Sequence, residues 1–345
     1  MGISKEIWLA YKLRWKRRKL LFRAFQSRHQ LAPVVNRTKQ IKPGTILVAS
    51  TIRNEIIRLP YFLQHYRKLG IDHFLFVDNA SDDGSLEYLR EQPDVSLWVT
   101  PDSYKQSRFG VDWLTWLQRK HAHGHWCLTV DADELFIYPD WERRDLTELT
   151  KWLDGQGISA MAALMLDLYP KGPISKMDYV PGSDPHECLK WFDGHNYTWE
   201  RQRKFQNISI RGGARKRMFF MDKPDFAPHL HKTPLIKWRR SYVYVSSTHI
   251  ALPNRLNSGF DARRNLPTGA LLHSKFLAPV LKKSCEEKQR REHFTHTGRY
   301  NAYYDQIIAD PDLWHKDAIR FIGWKQLEEI GLMVGGQWYP EFKST

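Results

Sequence analysis

Between residues 44 and 137 one pattern recurs: a short apolar run, a polar turn, then a helix-like stripe of apolar residues. Nothing else in the chain restricts the fold as tightly. Residues 46–49 (ILVA) have no polar alternation, as in a strand buried on both faces. Asn54-Glu55 follow, and then a helix with Pro60 at its first position. Tyr61, Phe62, His65, Tyr66 and Leu69 form its apolar stripe, and Gly70 stops it. Residues 73–77 (HFLFV) make the second strand and end in the cap-rich turn 78–85. A helix over 86–90, a strand over 95–99 and a helix over 109–120 come next. The fourth strand, 126–130, ends in Asp131-Ala132-Asp133-Glu134. Such alternation predicts an α/β fold, a mostly parallel sheet flanked by helices. Ligands of such sheets bind beyond the carboxyl ends of the strands. Clusters 51–55, 78–85 and 131–134 should therefore meet on one edge.

Asp131 and Asp133 flank a single residue directly after an apolar strand, so both side chains can approach one divalent cation. A hard ion held by two carboxylates keeps positions free for a diphosphate. Asp78 or Asn79, at the neighbouring strand end, can hydrogen-bond a base or ribose. The plainer reading makes Asp78 and Ser81 helix caps and Asp131 a turn former. Short acidic patterns are common, and position after the fourth strand is what favours a metal–nucleotide site.

The stretches "NEIIRLPYFLQHYRKLGIDHFLFVDNASDDGS" and "WCLTVDADELF" closely resemble the GT-A-fold glycosyltransferases of family 2, in particular a bacterial group related to family 92. The likeness continues through "RGGARKRMF", "HKTPLIKW", "SSTHIALP" and "GALLHSKFL", spanning about residues 44–300. It implies a Rossmann-like GT-A sheet, a nucleotide-diphospho-sugar donor and Mn²⁺ or Mg²⁺ at the acidic pair. Carried over position by position, Thr51, Arg53 and Glu55 look like the nucleotide-contacting turn. Asp78 and Asn79 look like the base-recognising pair, although many relatives have a second Asp at the Asn79 position. Asp131 and Asp133 match the metal and diphosphate residues. His273 matches a C-terminal His expected near the metal or diphosphate, and Lys275 can contact phosphate.

Beyond about residue 140 regular alternation fades, and the resemblance implies an acceptor-binding half. Residues 201–217 hold seven Lys/Arg and no acid around Gly212-Gly213. Arg211, Arg215 and Arg217 can grip a donor diphosphate or an anionic acceptor, or simply form a solvated basic loop. His121, His123 and His125 resemble a metal cluster, but Gly124 points to a helix end where imidazolium suits the dipole. His229, His231, His293 and His296 have no better claim, and His249 only a slightly better one after a strand-like run at 242–245. Trp191, Tyr197, Trp199 and Trp238 are candidate sugar platforms or ordinary packing residues. An inverting transfer needs a carboxylate base, for which Asp193 and Asp222 are the candidates. Residues after 285 read as helices. The organisation is thus a basic helical arm (1–40), a nucleotide-sugar half (44–140), an acceptor half (141–285) and C-terminal helices (286–345).

Charge separates the arm from the rest. Of a formal +15, residues 1–40 carry +10, with eleven Lys/Arg against Glu6. Ile7, Trp8, Tyr11, Trp15, Leu21, Phe22 and Phe25 fall on one broad helical face, interrupted by Arg14 and Arg18. A basic, Trp-bearing helix suits an anionic membrane surface. The same charge can track nucleic-acid phosphates, or the arm can pack Trp8 and Trp15 on its own domain. The modest charge elsewhere and the lack of a nucleic-acid motif argue against a nucleic-acid partner. No run approaches the roughly 20 apolar residues of a membrane span. Three cysteines without CxxC spacing suit a reducing compartment. These features predict a cytoplasmic glycosyltransferase, peripheral at most on the inner membrane face. It would take a UDP-sugar to a glycan or lipid-linked acceptor of surface polysaccharide. The rival classes are a metal-dependent phosphohydrolase or nucleotidyltransferase, and a non-catalytic nucleic-acid- or membrane-binding protein.

Overall fold

The computed structural model describes residues 3–290 and 297–339; His293 and His296 lie outside them. The chain opens with helix α1 (Ile3–Gln26) and strands β1 (Ala32–Val35) and β2 (Leu47–Ile52). Next come α2 (Leu59–Lys68), β3 (His73–Asp78), α3 (Ser85–Glu91), β4 (Val95–Val99), α4 (Val111–His121), β5 (Trp126–Thr129) and β6 (Glu134–Ile137). The second half holds α5 (Leu146–Gly155), β7 (Ala160–Asp167), β8 (Trp191–Phe192), β9 (Thr198–Gln202), β10 (Asn207–Arg211), α6 (Gly213–Phe219) and β11 (His231–Lys237). It closes with β12 (Val243–Ser246), β13 (Ile250–Leu252), β14 (Gly269–His273), α7 (Pro279–Arg290), α8 (Thr297–Ile308), β15 (Ile319–Arg320) and α9 (Trp324–Glu329).

Nine strands form one sheet in the order β1-β4-β3-β2-β5-β11-β7-β14-β6. Strands β2, β3, β4, β5, β7 and β14 run one way, and β1, β11 and β6 run against them. The sheet is therefore mostly parallel, with helices on its faces, as the alternation predicts. β3 and β7 are buried at every position. That matches strands covered on both faces, whose continuous apolar runs exclude more water than an alternating pattern.

The fading alternation after residue 140 conceals three more central strands. β7, β11 and β14 enter the same sheet between β5 and β6. β11 (HKTPLIK) is hard to read because Pro234 removes a ladder donor from a central strand. The register of β11 on β7 shifts between Lys232 and Leu235, so the proline sits at an irregularity instead of breaking the sheet.

This order has a direct consequence for the site. β5 and β6 are separated in sequence by only residues 130–133, yet β11, β7 and β14 lie between them. The acidic link must therefore run along the sheet's carboxyl edge. It passes the start of β11 and the ends of β7 and β14.

Helix α1 docks on the body through residues other than Trp8 and Trp15. Leu13, Leu20 and Ala24 are its buried side chains, whereas Trp8 and Trp15 remain about half exposed. The idea that those tryptophans pack on the domain is thus corrected. Leu21, grouped with them by sequence, is partly buried against the body beside Val243 and Leu252. No described helix is long and apolar enough to cross a membrane.

Candidate functional site

The first two predicted clusters do meet. Residues 53–56 follow β2 and are stitched to the turn after β3. The Asn54 amide donates to Ser81 Oγ (2.9 Å), the Glu55 amide to Ser85 Oγ (3.0 Å) and the Ile56 amide to Asp83 Oδ2 (3.0 Å). Arg53 Nη1 donates to the Asn79 carbonyl at 2.7 Å. Within these turns some side chains are already committed. Asn79 is buried and spends both amide donors on the Thr100 and Asp102 carbonyls (3.0 and 2.9 Å). It braces the loop after β4. Asp78 is buried, and burial pushes its carboxyl upward. Its Oδ1 accepts the Ser81 amide at 2.8 Å, while its Oδ2 is buried without a partner. The Thr51 hydroxyl is likewise buried and unpartnered, against Gly110 at the start of α4. Gly110 (φ +75°) permits this approach, since a Cβ there would lie 2.5 Å from Thr51 Oγ1.

The third cluster lies where the topology demands. Asp131 Oδ2 receives Lys232 Nζ from the start of β11 at 3.0 Å. Lys232, itself buried, also pairs closely with the buried Glu134. Burial alone would discharge the lysine, but Asp131 and Glu134 hold it charged. Two residues further on, Asp133 Oδ2 lies 3.1 Å from Nε2 of His273, at the end of β14. The Asp133 carbonyl is fixed by the Ser274 amide at 2.7 Å.

Behind His273 stands Asp167, the last residue of β7. Its Oδ1 meets His273 Nδ1 at 2.6 Å and its Oδ2 accepts Arg215 Nε at 2.7 Å. Burial would raise the Asp167 carboxyl, yet Arg215 and His273 hold it down at about 2. Asp133 is held well below the usual carboxylate range against its burial, by His273 first and then by Arg58 and Lys275. His273 is raised because Asp133 and Asp167 outweigh its burial. Arg58 is buried, bonded to Glu55 Oε2 (2.7 Å) and the Ser274 carbonyl (3.2 Å). Lys283 from α7 takes the other Glu55 oxygen at 2.5 Å. Lys275 has no hydrogen-bond or ion-pair partner among the described residues, and burial lowers its affinity for a proton.

Several expectations change in detail. Arg215 reaches the site, where its Nε orients Asp167 and its Nη2 lies 3.8 Å from Met165 Sδ, so it is buried in the fold and not on a solvated basic loop. Asp193 is equally committed. Arg217 bonds both its oxygens (2.8 and 3.1 Å), and Tyr169 (2.5 Å), Asn196 (3.0 Å) and His315 (3.3 Å) add to them. With both oxygens engaged by protein donors, this carboxylate ties Arg217, Tyr169, Asn196 and His315 together. Asp222 is exposed beyond the end of α6, with no hydrogen bond to a described residue of the cluster. Trp238 is fully buried and offers no sugar platform, whereas Trp199 is 45% exposed.

His121 ends α4 as foreseen, but burial and Lys120 lower it to about 4, so it is not the cation that would suit the helix dipole. His229, His231 and His249 do gather, with ring centroids 5.2 to 6.1 Å apart. All three are lowered, chiefly by burial. No group of three or more His, Cys, Asp or Glu among the described residues could hold a metal ion.

Sequence reasoning missed Asp167, Arg58 and Lys232. Asp167 carried a readable signal, since it closes an uncharged run just as Asp78 and Asp131 close theirs. Lys232 carried none, because its strand was obscured by Pro234.

The fold and site together define an α/β protein with an acidic, cation-rimmed cluster at the carboxyl ends of its strands. No family model matches the chain, and no curated protein matches it. Among solved structures it is similar to the mannosyltransferase PcManGT from Pyrobaculum calidifontis in complex with GDP-Man and Mn²⁺. The identity is 20% and the TM-score 0.28, over 46% of each chain, so this protein spans less than half of that one. A likeness this slight carries no weight for function.

Proposed function

We propose that the chain is a metal-dependent glycosyltransferase. It would move a sugar from a nucleotide-diphospho-sugar, specifically a UDP-sugar, to a glycan or lipid-linked acceptor in surface polysaccharide synthesis. The observation that carries this reading is the edge assembly of Asp133 and His273, 3.1 Å apart and rimmed by Arg58 and Lys275. Asp167 fixes the His273 ring from behind, the arrangement that orients a metal-ligating imidazole. Asp133 and His273 would supply two protein donors to such an ion. That suits Mn²⁺ or Mg²⁺, which draw other oxygens from substrate phosphates and water. Asp131 is turned to Lys232 and completes the acidic edge. When bound, the ion neutralises the charge that develops on a departing diphosphate.

The chain's own groups account for the remaining steps. Lys275, without a hydrogen-bond or ion-pair partner among the described residues, would pair with phosphate oxygens. The orphaned Asp78 Oδ2 can accept an N–H from a base, and the orphaned Thr51 hydroxyl can bond a ribose or base edge. Residues 141–285 would position the acceptor, and holding its hydroxyl near the donor carbon supplies much of the acceleration. Of the two carboxylates considered as base, only Asp222 is uncommitted, and it stands outside the cluster.

The test is release of nucleoside diphosphate from a panel of nucleotide sugars with Mn²⁺. Asp133→Ala should cut turnover by a factor on the order of 10² or more, the cost of losing several kcal/mol of charge stabilisation. Its folding transition should fall too, because His273, Arg58 and Lys275 lose the carboxylate they face, so turnover is compared below that transition. Unchanged turnover in a folded variant would remove the assignment.

A further inference from the structure

We infer that α1 is an interfacial anchor that binds the surface of an anionic phospholipid membrane and seats a phosphate headgroup in the pocket beside it. The inference is independent of the transfer reading, since α1 contributes nothing to the candidate site. Its observations are separate too. The helix is docked through Leu13, Leu20 and Ala24, so its opposite side faces away from the body. That side carries Ile7, Trp8, Tyr11, Trp15 and Phe22, each at least half exposed. The rings are already ordered: Trp8 stacks on Tyr11 at 5.7 Å, and Tyr11 meets Trp15 edge-on at 6.2 Å. Cations accompany them, with Lys12 over the Trp8 ring (5.0 Å) and Arg18 over Trp15 (5.5 Å).

An apolar aromatic arc flanked by cations matches the layered chemistry of an anionic bilayer surface. Rings enter the headgroup boundary while Lys and Arg reach phosphates. A solvated helix has no use for so many exposed aromatic side chains in one place, because each exposes apolar area to water.

The pocket makes the partner more specific. A cavity of about 260 Å³ opens between α1 and the β13 end, lined by Ala10, Leu13, Arg14, Arg17, Leu252 and Pro253. Arg14 and Arg17 have no hydrogen bond or ion pair with any described residue. Arg17 is less readily protonated than usual, first through burial and then through Arg14 and Arg255 beside it. Crowded cations lining a cavity are relieved by an anion, and here the cavity adjoins the exposed aromatic arc. A phospholipid phosphate satisfies both features together.

The experiment is co-sedimentation of the full chain with vesicles of phosphatidylcholine, alone or mixed with phosphatidylglycerol. The chain should pellet with the mixed vesicles and not with the neutral ones. The exposed triple variant Trp8→Ser, Trp15→Ser, Phe22→Ser should stay in the supernatant while keeping its thermal transition and donor turnover. Arg14→Gln with Arg17→Gln should weaken partitioning roughly 30-fold, taking about 1 kcal/mol per cation. Three outcomes would overturn the inference: no pelleting with anionic vesicles, equal pelleting of the aromatic variant, or retention on duplex nucleic acid in place of vesicles.

Discussion

At the residue scale the site is a set of ion pairs whose partners are far apart in sequence and whose charges are interdependent. Lys232 shows this most sharply, being buried between Asp131 and Glu134. Lys232→Ala leaves the Glu134 charge buried without its partner and should cost about 3–5 kcal/mol by urea unfolding. The double variant Lys232→Met, Glu134→Gln should recover much of that loss. Asp184 gives a second test, away from the site. It bonds Tyr61 Oη at 2.7 Å and the His186 amide at 2.9 Å, tying the loop at 178–188 to α2. Burial opposes its charge, but His186 and Tyr61 hold the carboxyl at about 2. A depressed folded pKa stabilises above the unfolded value near ~4 and is lost as pH falls through the folded one. Asp184→Asn should therefore lower the melting temperature at pH 6, and the gap from the parent should close between about pH 4 and 2. A gap independent of pH would show that the hydrogen bonds matter and the charge does not. Asp78 and Asp131 were legible because an acid closes an apolar run within the regular alternation, while Asp167 closes a similar run where that alternation has faded. Arg58 and the saturation of Asp193 were not legible, because partners such as Ser274 and Arg217 approach only through the fold.

At the element scale, β2 to β5 declared themselves through regular alternation with helices, whereas β7 and β14 were hidden where that alternation fades, and β11 had no clean apolar run to read. Its proline disguises a central strand, and with it the position of Lys232. β14 is short, and its placement depends on a close approach. A Cβ on Gly269 would lie 2.4 Å from Phe136 Cε2 and 2.7 Å from the Ile137 carbonyl. Gly269→Ala must push β6 and β14 apart, costing about 1–3 kcal/mol in unfolding. Because His273 ends β14 and Asp133 precedes β6, donor turnover should fall further than stability alone explains. For α1 the pattern of its sequence was visible but its orientation was not. Periodicity shows that a helix has faces, while only packing shows which one is covered, here Leu13, Leu20 and Ala24.

At the scale of the whole molecule, the two halves anticipated from sequence share one sheet. β5 pairs with β11, and β14 pairs with both β6 and β7. A fragment of residues 1–140 would expose the β5 edge and leave Asp131 and Asp133 without Lys232 and His273. It should show no cooperative melting transition by calorimetry, whereas the whole chain should show one. The C-terminal segment belongs to the same unit. Trp338 is buried, meets Trp152 at 5.7 Å and donates Nε1–H to the Pro139 carbonyl at 2.8 Å. Trp338→Ala should cost about 3–5 kcal/mol.

The most direct test of the central claim is thermal stability in the presence of UDP, GDP, CDP and ADP, each with and without Mn²⁺. A ligand held only by the folded chain stabilises it by about 2.7 kcal/mol at a hundredfold excess over Kd. The account predicts a rise with UDP that depends on Mn²⁺ and disappears in Asp133→Ala. No rise with any nucleoside diphosphate, or one that Asp133→Ala leaves intact, would contradict a donor site at this edge.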